Sequence, residues 1–476
     1  MGRGMDRREF LTLSAMGGAV CLGLPRLFAA EPVVKPPKII SPGCRRTKVR
    51  VAKLYLGKPG AHWPVPTMKL EEEMKDYEAK FAEMGKEFAD VDFAVNQLVT
   101  KPEQARELKE KLKDVDGILA IHLSMGVTGE LGELMGAGRP IMLYAAPYSG
   151  HEWTSFGRLM KAKDSTLLDC LLTTDTKELA AAVRPFRAIH HLREAKILNV
   201  TKRALPEGYL KAIKGKFGTE IVAVSREQTL DAYNAIPDAE AEAEAKRWIE
   251  GADKVVEPQN DEIVKSAKLA LAMQKLLDDN DATMITIDCY GTMWRQLPAY
   301  PCIGHARLNN MGLGGMCESD LPSCMTQILF QGLAGKPGFV NDPTMDCSRN
   351  AIILAHCMGT PKMDGPDGPT EKYRLRSVME RQEGCVCQVF MQVGKKATTA
   401  ELIGTDTLLY FTGEIIESPD VPRGCRTKMT IRVDGDAEKL WQNWSSGLHR
   451  VTCYGNLLKD LQRFCRFTSI KMVNEA

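Results

Sequence analysis

Net charge is what this 476-residue chain has least of: 63 basic side chains stand against 61 acidic ones, a formal balance of +2. No global field draws it to nucleic acid or to an anionic membrane. Neither a phosphate-binding P-loop nor a Gly-x-Gly-x-x-Gly fingerprint occurs, and the Gly-rich stretch NMGLGGM at 310–316 is too irregular to serve as one. The 14 cysteines include no Cys-x-x-Cys pair, which argues against a structural zinc ribbon. There is no repeat of fixed period, so solenoids and propellers are excluded. The apolar run near the N-terminus, about 15 residues over 10–24, falls short of the roughly 20 needed to span a bilayer.

That run has another reading. The segment MGRGMDRREFLTLSAMGGAVCLGLPRLFAAEP combines a charged start, an apolar stretch and small residues at Ala29 and Ala30, the pattern of a signal peptide over residues 1–30. Arg7 and Arg8 in DRREFL resemble the twin-arginine export motif, so the expected location is periplasmic or otherwise extracytoplasmic, without stable membrane anchoring after cleavage. Cys21 follows Gly18, Ala19 and Val20 and so lacks a lipobox leucine. Of the other 13 cysteines, 11 lie between Cys289 and Cys465, several in apolar runs where a free thiol behaves as a small core residue. Mostly buried thiols are expected.

With 44% hydrophobic and 26% charged residues, the composition is that of a globular chain of two to four domains at roughly 150 residues each. After a Pro-rich leader, apolar runs such as VRVAKLYL, VDFAVNQLV, GILAIHL and RPIMLYAAP alternate with helical patterns. A second set follows with KILNVT, TEIVAVS and ATMITIDC. Such alternation predicts parallel sheets covered on both faces. The run DAEAEAEAK reads as a solvated helix face. Beyond about residue 335 the runs GCVCQVFMQVG, TTAELIGTDTLLYFTGEII and CRTKMTIRVDG follow one another through Gly, Asp and Pro turns, predicting an antiparallel sheet or small barrel. The expected organisation is α/β: Rossmann-like domains over 45–175 and 176–335, then a β-rich, barrel-like domain over 336–476.

Four residues at the ends of apolar runs stand out. Glu318 follows a Gly-containing β-run and precedes the helical run MTQILFQGLAG; Asp342 lies in GFVNDPT, His356 ends AIILAH, and His449 lies in GLHRVTCYGN. Each has a duller explanation: a helix N-terminal carboxylate, a turn aspartate, a buried core histidine. Asp320 fits an N-cap with Pro322 at the helix entry, and Asp346 rivals Asp342. Taken together, carboxylate and imidazole donors without thiolate are what Mn²⁺ or another hard divalent cation tolerates.

The segments ATMITIDC, CESDLP, LAGKPGFVNDP, ILAHC and GLHRV resemble, in order and spacing over roughly residues 280–460, the L-fucose isomerase and L-arabinose isomerase superfamily. The resemblance implies two Rossmann-like domains and a β-rich one, assembled as a homo-oligomer, a trimer or hexamer. It implies that Glu318, Asp342 and His449 are metal ligands, with His356 the extra histidine of the arabinose branch, and that Glu318 and Asp342 are the catalytic acid and base. Mn²⁺ is the expected cofactor and a small sugar the expected partner. The activity implied is aldose–ketose isomerisation by proton transfer through a metal-stabilised enediolate. Tyr290 and Trp294 are candidate substrate-binding residues, and Trp63 and Trp153 candidates to serve a neighbouring subunit. An exported sugar-binding or sensing protein without turnover, or a related epimerase or lyase, are the alternative readings.

Overall fold

A computed structural model of the chain describes residues 36–162 and 165–476. The segment expected to be a signal peptide, with Arg7, Arg8 and Cys21, lies outside them. Strands β1 (Val49–Leu56), β2 (Val91–Val99), β3 (Gly117–His122), β4 (Ile141–Ala145) and β5 (Leu168–Leu172) form one parallel sheet in the order β2-β1-β3-β4-β5. All residues of β3 and β4 are buried, as expected of strands covered by helices on both faces. The strand order reverses direction between β1 and β3, where open α/β sheets gather ligands.

The second sheet repeats the scheme. It contains β6 (Lys196–Val200) and β7 (Glu220–Val224), skips the short β8 (Lys254–Val255), and continues with β9 (Met284–Ile287) and β10 (Gly314–Cys317). Its order is β10-β9-β6-β7, all parallel. Past β10 the pairing becomes mainly antiparallel, through β11 (Phe339–Asp346), β12 (Ala351–His356), β13 (Tyr373–Arg376), β14 (Val386–Val389), β15 (Lys396–Ile403), β16 (Thr407–Glu417), β17 (Thr427–Val433) and β18 (Arg450–Tyr454), with β13 and β14 in a separate small sheet where β13 pairs in parallel with β8. Strands β15-β18-β11-β12-β17-β16 close on themselves because β15 also pairs with β16, which removes both open edges. The expected class, two parallel α/β sheets followed by a barrel, is the one observed.

The helix Leu458–Thr468 is followed by β19 (Lys471–Asn474), which adds in parallel to β16. One local expectation is refined. The DAEAEAEAK helix, Asp238–Gly251, is not a wholly solvated face, because Ala241, Glu244, Ala245 and Trp248 recur at helical spacing and are buried. Glu244 turns inward to pair with Arg307 at 3.0 Å and to accept from the Trp248 indole N–H at 3.0 Å. The 13 described cysteines are free thiols, most of them buried. Among the described residues, no helix is long and apolar enough to cross a membrane.

One core runs from the second sheet, through the helix Leu321–Ala334, into the barrel residues Val340, Ala400, Leu402 and Val451. That helix packs so tightly on Arg184–Glu194 that a Cβ at Gly332 would lie 2.5 Å from the Cα of Ala188. The same Arg184–Glu194 helix is pinned to the first sheet by a buried ionic cluster. Asp116 accepts from the ring of His190 at 2.9 Å, from the backbone N–H of Arg50 at 2.8 Å, and from Arg193. Burial lowers the His190 imidazole, but its partners Asp116 and Cys44 outweigh burial and raise it from 6.5 to about 10.

A raised histidine contributes stability that is complete below its ordinary 6.5 and is lost as pH climbs through about 10. The urea-unfolding midpoint should therefore fall across that window, and Asp116→Asn should flatten this fall while costing roughly 3–5 kcal/mol, as expected when one partner of a buried pair is removed. A midpoint that is flat with pH in the wild-type chain contradicts this account.

Candidate active site

The site begins with backbone that resists its own conformation. At Gly315 in β10, a Cβ would lie 2.5 Å from the Cα of His305, so only glycine lets the strand pass the helix Cys302–Asn310. Directly after β10, Glu318 and Ser319 adopt left-handed φ values of 66° and 58°, which cost about 1–3 kcal/mol each for non-glycine residues and cluster where function requires them. Neighbouring bonds hold the turn. The Glu318 N–H donates to the Ile287 carbonyl at 2.9 Å, the Ser319 hydroxyl donates to Asn199 in β6, and Asp320 caps the following helix by accepting from the Ser323 N–H at 3.2 Å. The carboxylate of Glu318 thus projects from the carboxyl end of a parallel strand.

The barrel supplies the rest from three adjacent strands. Asp342 of β11 pairs with Ala355 of β12, beside His356, while Asn341 pairs with Arg450 of β18, beside His449. One rim therefore carries Asp342, His356 and His449. Glu318 Oε1 lies 3.6 Å from His356 Nε2, and its Oε2 lies 3.9 Å from His449 Nε2. The two imidazole rings stand edge to face with centroids 5.4 Å apart. One donor atom from each of Glu318, His356 and His449 falls within 4.8 Å of the others. Asp342 joins through His449, its Oδ1 being 3.3 Å from Nε2. That contact lacks hydrogen-bond alignment, leaving Asp342 Oδ1 and His449 Nε2 buried without a hydrogen-bond partner. Buried polar atoms without partners are costly, and a divalent cation fits the nitrogen and oxygen donors converging here. The donor set suits Mn²⁺ without selecting it.

Asp320 does more than the cap expected of it. Its Oδ2 accepts from His449 Nδ1 at 2.8 Å, which leaves Nε2 as the atom facing Glu318 and Asp342. Burial lowers the His449 ring, but Asp320 and Asp342 outweigh burial and raise it to about 10. A cation bound at Nε2 would compete with a proton for that nitrogen. The adjacent Arg450 is fully buried and forks onto Glu475 at 2.7 and 2.9 Å while donating to the His449 carbonyl at 2.8 Å, which fixes the backbone from which His449 projects.

Over 181 residues the chain is similar to a sulfoquinovose isomerase of Alkalicoccus urumqiensis. The two are 23% identical there, a distant likeness to a sugar isomerase covering 36% of this chain and 41% of the relative. The chain thus matches less than half of that relative's length. No family model matches.

The other expected residues take the following places. Asp346 sits four residues further along β11, where it accepts from Ser348 Oγ at 2.6 Å, and at about 3.3 Å per residue it is too far down the strand to reach the histidines. Tyr290 donates to Glu380 at 3.1 Å, and Trp294 stacks under the Arg381 guanidinium, 4.2 Å from its ring centre. Trp63 and Trp153 belong to the first sheet's aromatic cluster, beside His151 and His122 respectively. A cavity of about 280 Å³, lined by Glu262, Cys289, Met293, Tyr300 and Glu383 among others, takes in none of Glu318, Asp342, His356 or His449.

Sequence reasoning missed four residues around the site. His305, fully buried and lowered to about 3 by burial and then by His356, sits behind the strand with Nδ1 3.4 Å from Cys317 Sγ. Cys357, Glu380 and Cys425 form a group beside Asp342. Only Cys357 carried a local signal, being next to His356.

Asp320→Asn keeps a capping oxygen but removes the charge behind His449. It should lower the thermal midpoint of the metal-free chain, as loss of one partner of a buried pair does, and weaken Mn²⁺ binding, followed by electron paramagnetic resonance, by about 10- to 100-fold, the usual cost of losing a carboxylate behind a metal-ligating histidine. Unaltered Mn²⁺ affinity contradicts that role.

Proposed function

We propose that the chain is a metal-dependent aldose–ketose isomerase acting on a small sugar. The observation that carries this reading is the meeting of Glu318, His356 and His449, with Asp342 beside them, around buried atoms that lack hydrogen-bond partners. The distant likeness to a sugar isomerase and the superfamily resemblance support it.

Moving a carbonyl from C1 to C2 transfers a hydrogen from C2 to C1 and a hydroxyl proton from O2 to O1, with no net gain or loss. A bound divalent cation supplies Lewis-acid polarisation of the sugar's oxygens. The chain's own residues move the protons. Burial raises the Asp342 carboxyl, but His449 and His356 outweigh it and hold it below its ordinary value, and its Oδ1, 3.3 Å from His449 Nε2, is placed to accept a proton. Glu318, across His449 from Asp342, is in place for the second transfer, and its strained turn fixes where its carboxylate points. On this reading the enzyme acts as a homo-oligomer outside the cytoplasm, as the superfamily resemblance and the Arg7–Arg8 pair suggest.

Mn²⁺-loaded protein assayed against a panel of aldoses in D₂O should convert one of them with solvent deuterium entering the product. Glu318→Gln should lose about 10²- to 10⁴-fold in kcat, the range typical of general acid–base groups. Turnover undiminished in that variant would sink the assignment.

A further inference from the structure

Beside the candidate site lies a second cluster of different chemistry. Cys357 Sγ and Cys425 Sγ are 3.8 Å apart. Glu380 spans them, with Oε2 3.6 Å from Cys357 Sγ and Oε1 3.3 Å from Cys425 Sγ. The three residues come from separate segments that meet at the barrel rim: Cys357 directly after β12, Glu380 after β13, and Cys425 just before β17. The register explains the meeting, since His356 pairs with Thr427 at the last rung of the β12–β17 ladder and both cysteines lie just beyond it.

The sulfur spacing matches the edge of a tetrahedral site, since a zinc ion with bonds of about 2.3 Å to sulfur sets two thiolates about 3.8 Å apart. Glu380 turns one carboxylate oxygen to each sulfur, so either oxygen is within reach of an ion held between the thiols. The Tyr290 hydroxyl donates to Glu380 Oε2 at 3.1 Å and so orients that carboxylate from outside the cluster. Asp342 lies between the two clusters, with Oδ1 3.3 Å from His449 Nε2 and Oδ2 3.9 Å from Cys425 Sγ.

We propose that Cys357, Cys425 and Glu380 form a second metal site for a thiophilic divalent cation of the zinc class, next to the nitrogen and oxygen site and sharing Asp342 with it. The donors set the selectivity: two thiolates favour a soft or borderline ion over Mn²⁺, while the imidazole and carboxylate group next door does not exclude Mn²⁺. The proposal stands apart from the isomerase reading, because it is read from metal binding rather than sugar turnover.

The test is titration of the reduced full chain with Cd²⁺, following the thiolate-to-metal charge-transfer absorption. One equivalent should bind, and the band should be lost in Cys357→Ser and in Cys425→Ser. Glu380→Gln, a change at an exposed side chain, should weaken binding by about 10- to 100-fold. Glu318→Gln should leave the band intact, which separates this site from its neighbour. Circular dichroism melts verify that each variant is folded. The proposal is overturned if the folded double serine variant keeps the band. It is equally overturned if wild-type protein with all its thiols titratable after unfolding gives no band, or if the only Cd²⁺ site is the one removed by Glu318→Gln.

Discussion

The contact between Asp320 and His449 does two jobs with one carboxylate. One oxygen caps the helix Leu321–Ala334; the other holds the histidine's Nδ1 at 2.8 Å. The cap ties the carboxylate to the parallel-sheet half of the molecule, whereas the histidine belongs to the barrel. Because the helix is almost wholly buried in the core common to both halves, the position of Asp320 is set by packing rather than by its own side-chain freedom. His449 inherits that fixity. Glu318, two residues upstream, is placed by the same turn, so the left-handed pair Glu318–Ser319 is strain held between the β9 backbone bond and the helix cap.

The legible parts of the fold were those that depend on local period. Apolar runs alternating with helices announced the parallel sheets, and turn-separated runs announced the barrel, because burial on two faces and burial on one face leave different patterns in a strand. The site was partly legible for a related reason: His356 and Glu318 both sit where an apolar strand ends. Strand register was not legible. Whether Asp342 or Asp346 meets the histidines depends on which residues pair across β11 and β12, and the sequence holds no mark of that pairing. Asp320 illustrates another limit. Its role as a cap explained its presence completely, so nothing local asked for the second partner 129 positions away. Glu380 and Glu244 were invisible for the same reason, since a glutamate in a polar segment is ordinarily solvated.

The two aromatic candidates both have partners within the chain. Tyr290 is engaged by Glu380, and Trp294 lies beneath Arg381. Tyr290 remains close to the chemistry, through the glutamate that bridges the two thiols.

The short string Ala355-His356-Cys357 concentrates the problem this protein poses. Successive residues leaving a strand project to different sides, and here His356 faces Glu318 while Cys357 faces Cys425. A nitrogen goes to one cluster and a sulfur to the next, with Asp342 between them. Affinity order works against Mn²⁺ wherever zinc or copper can reach an imidazole site. A dithiol beside that site offers such ions a softer set of donors, so two adjacent clusters of unlike hardness can sort metals that neither would sort alone. The same adjacency has a cost: an ion among the thiols would pull on Asp342, the carboxylate that the candidate site needs facing His449. Occupancy of one cluster and geometry of the other are therefore coupled through a single side chain, and the register of β11 against β12 and β18 sets its place between them.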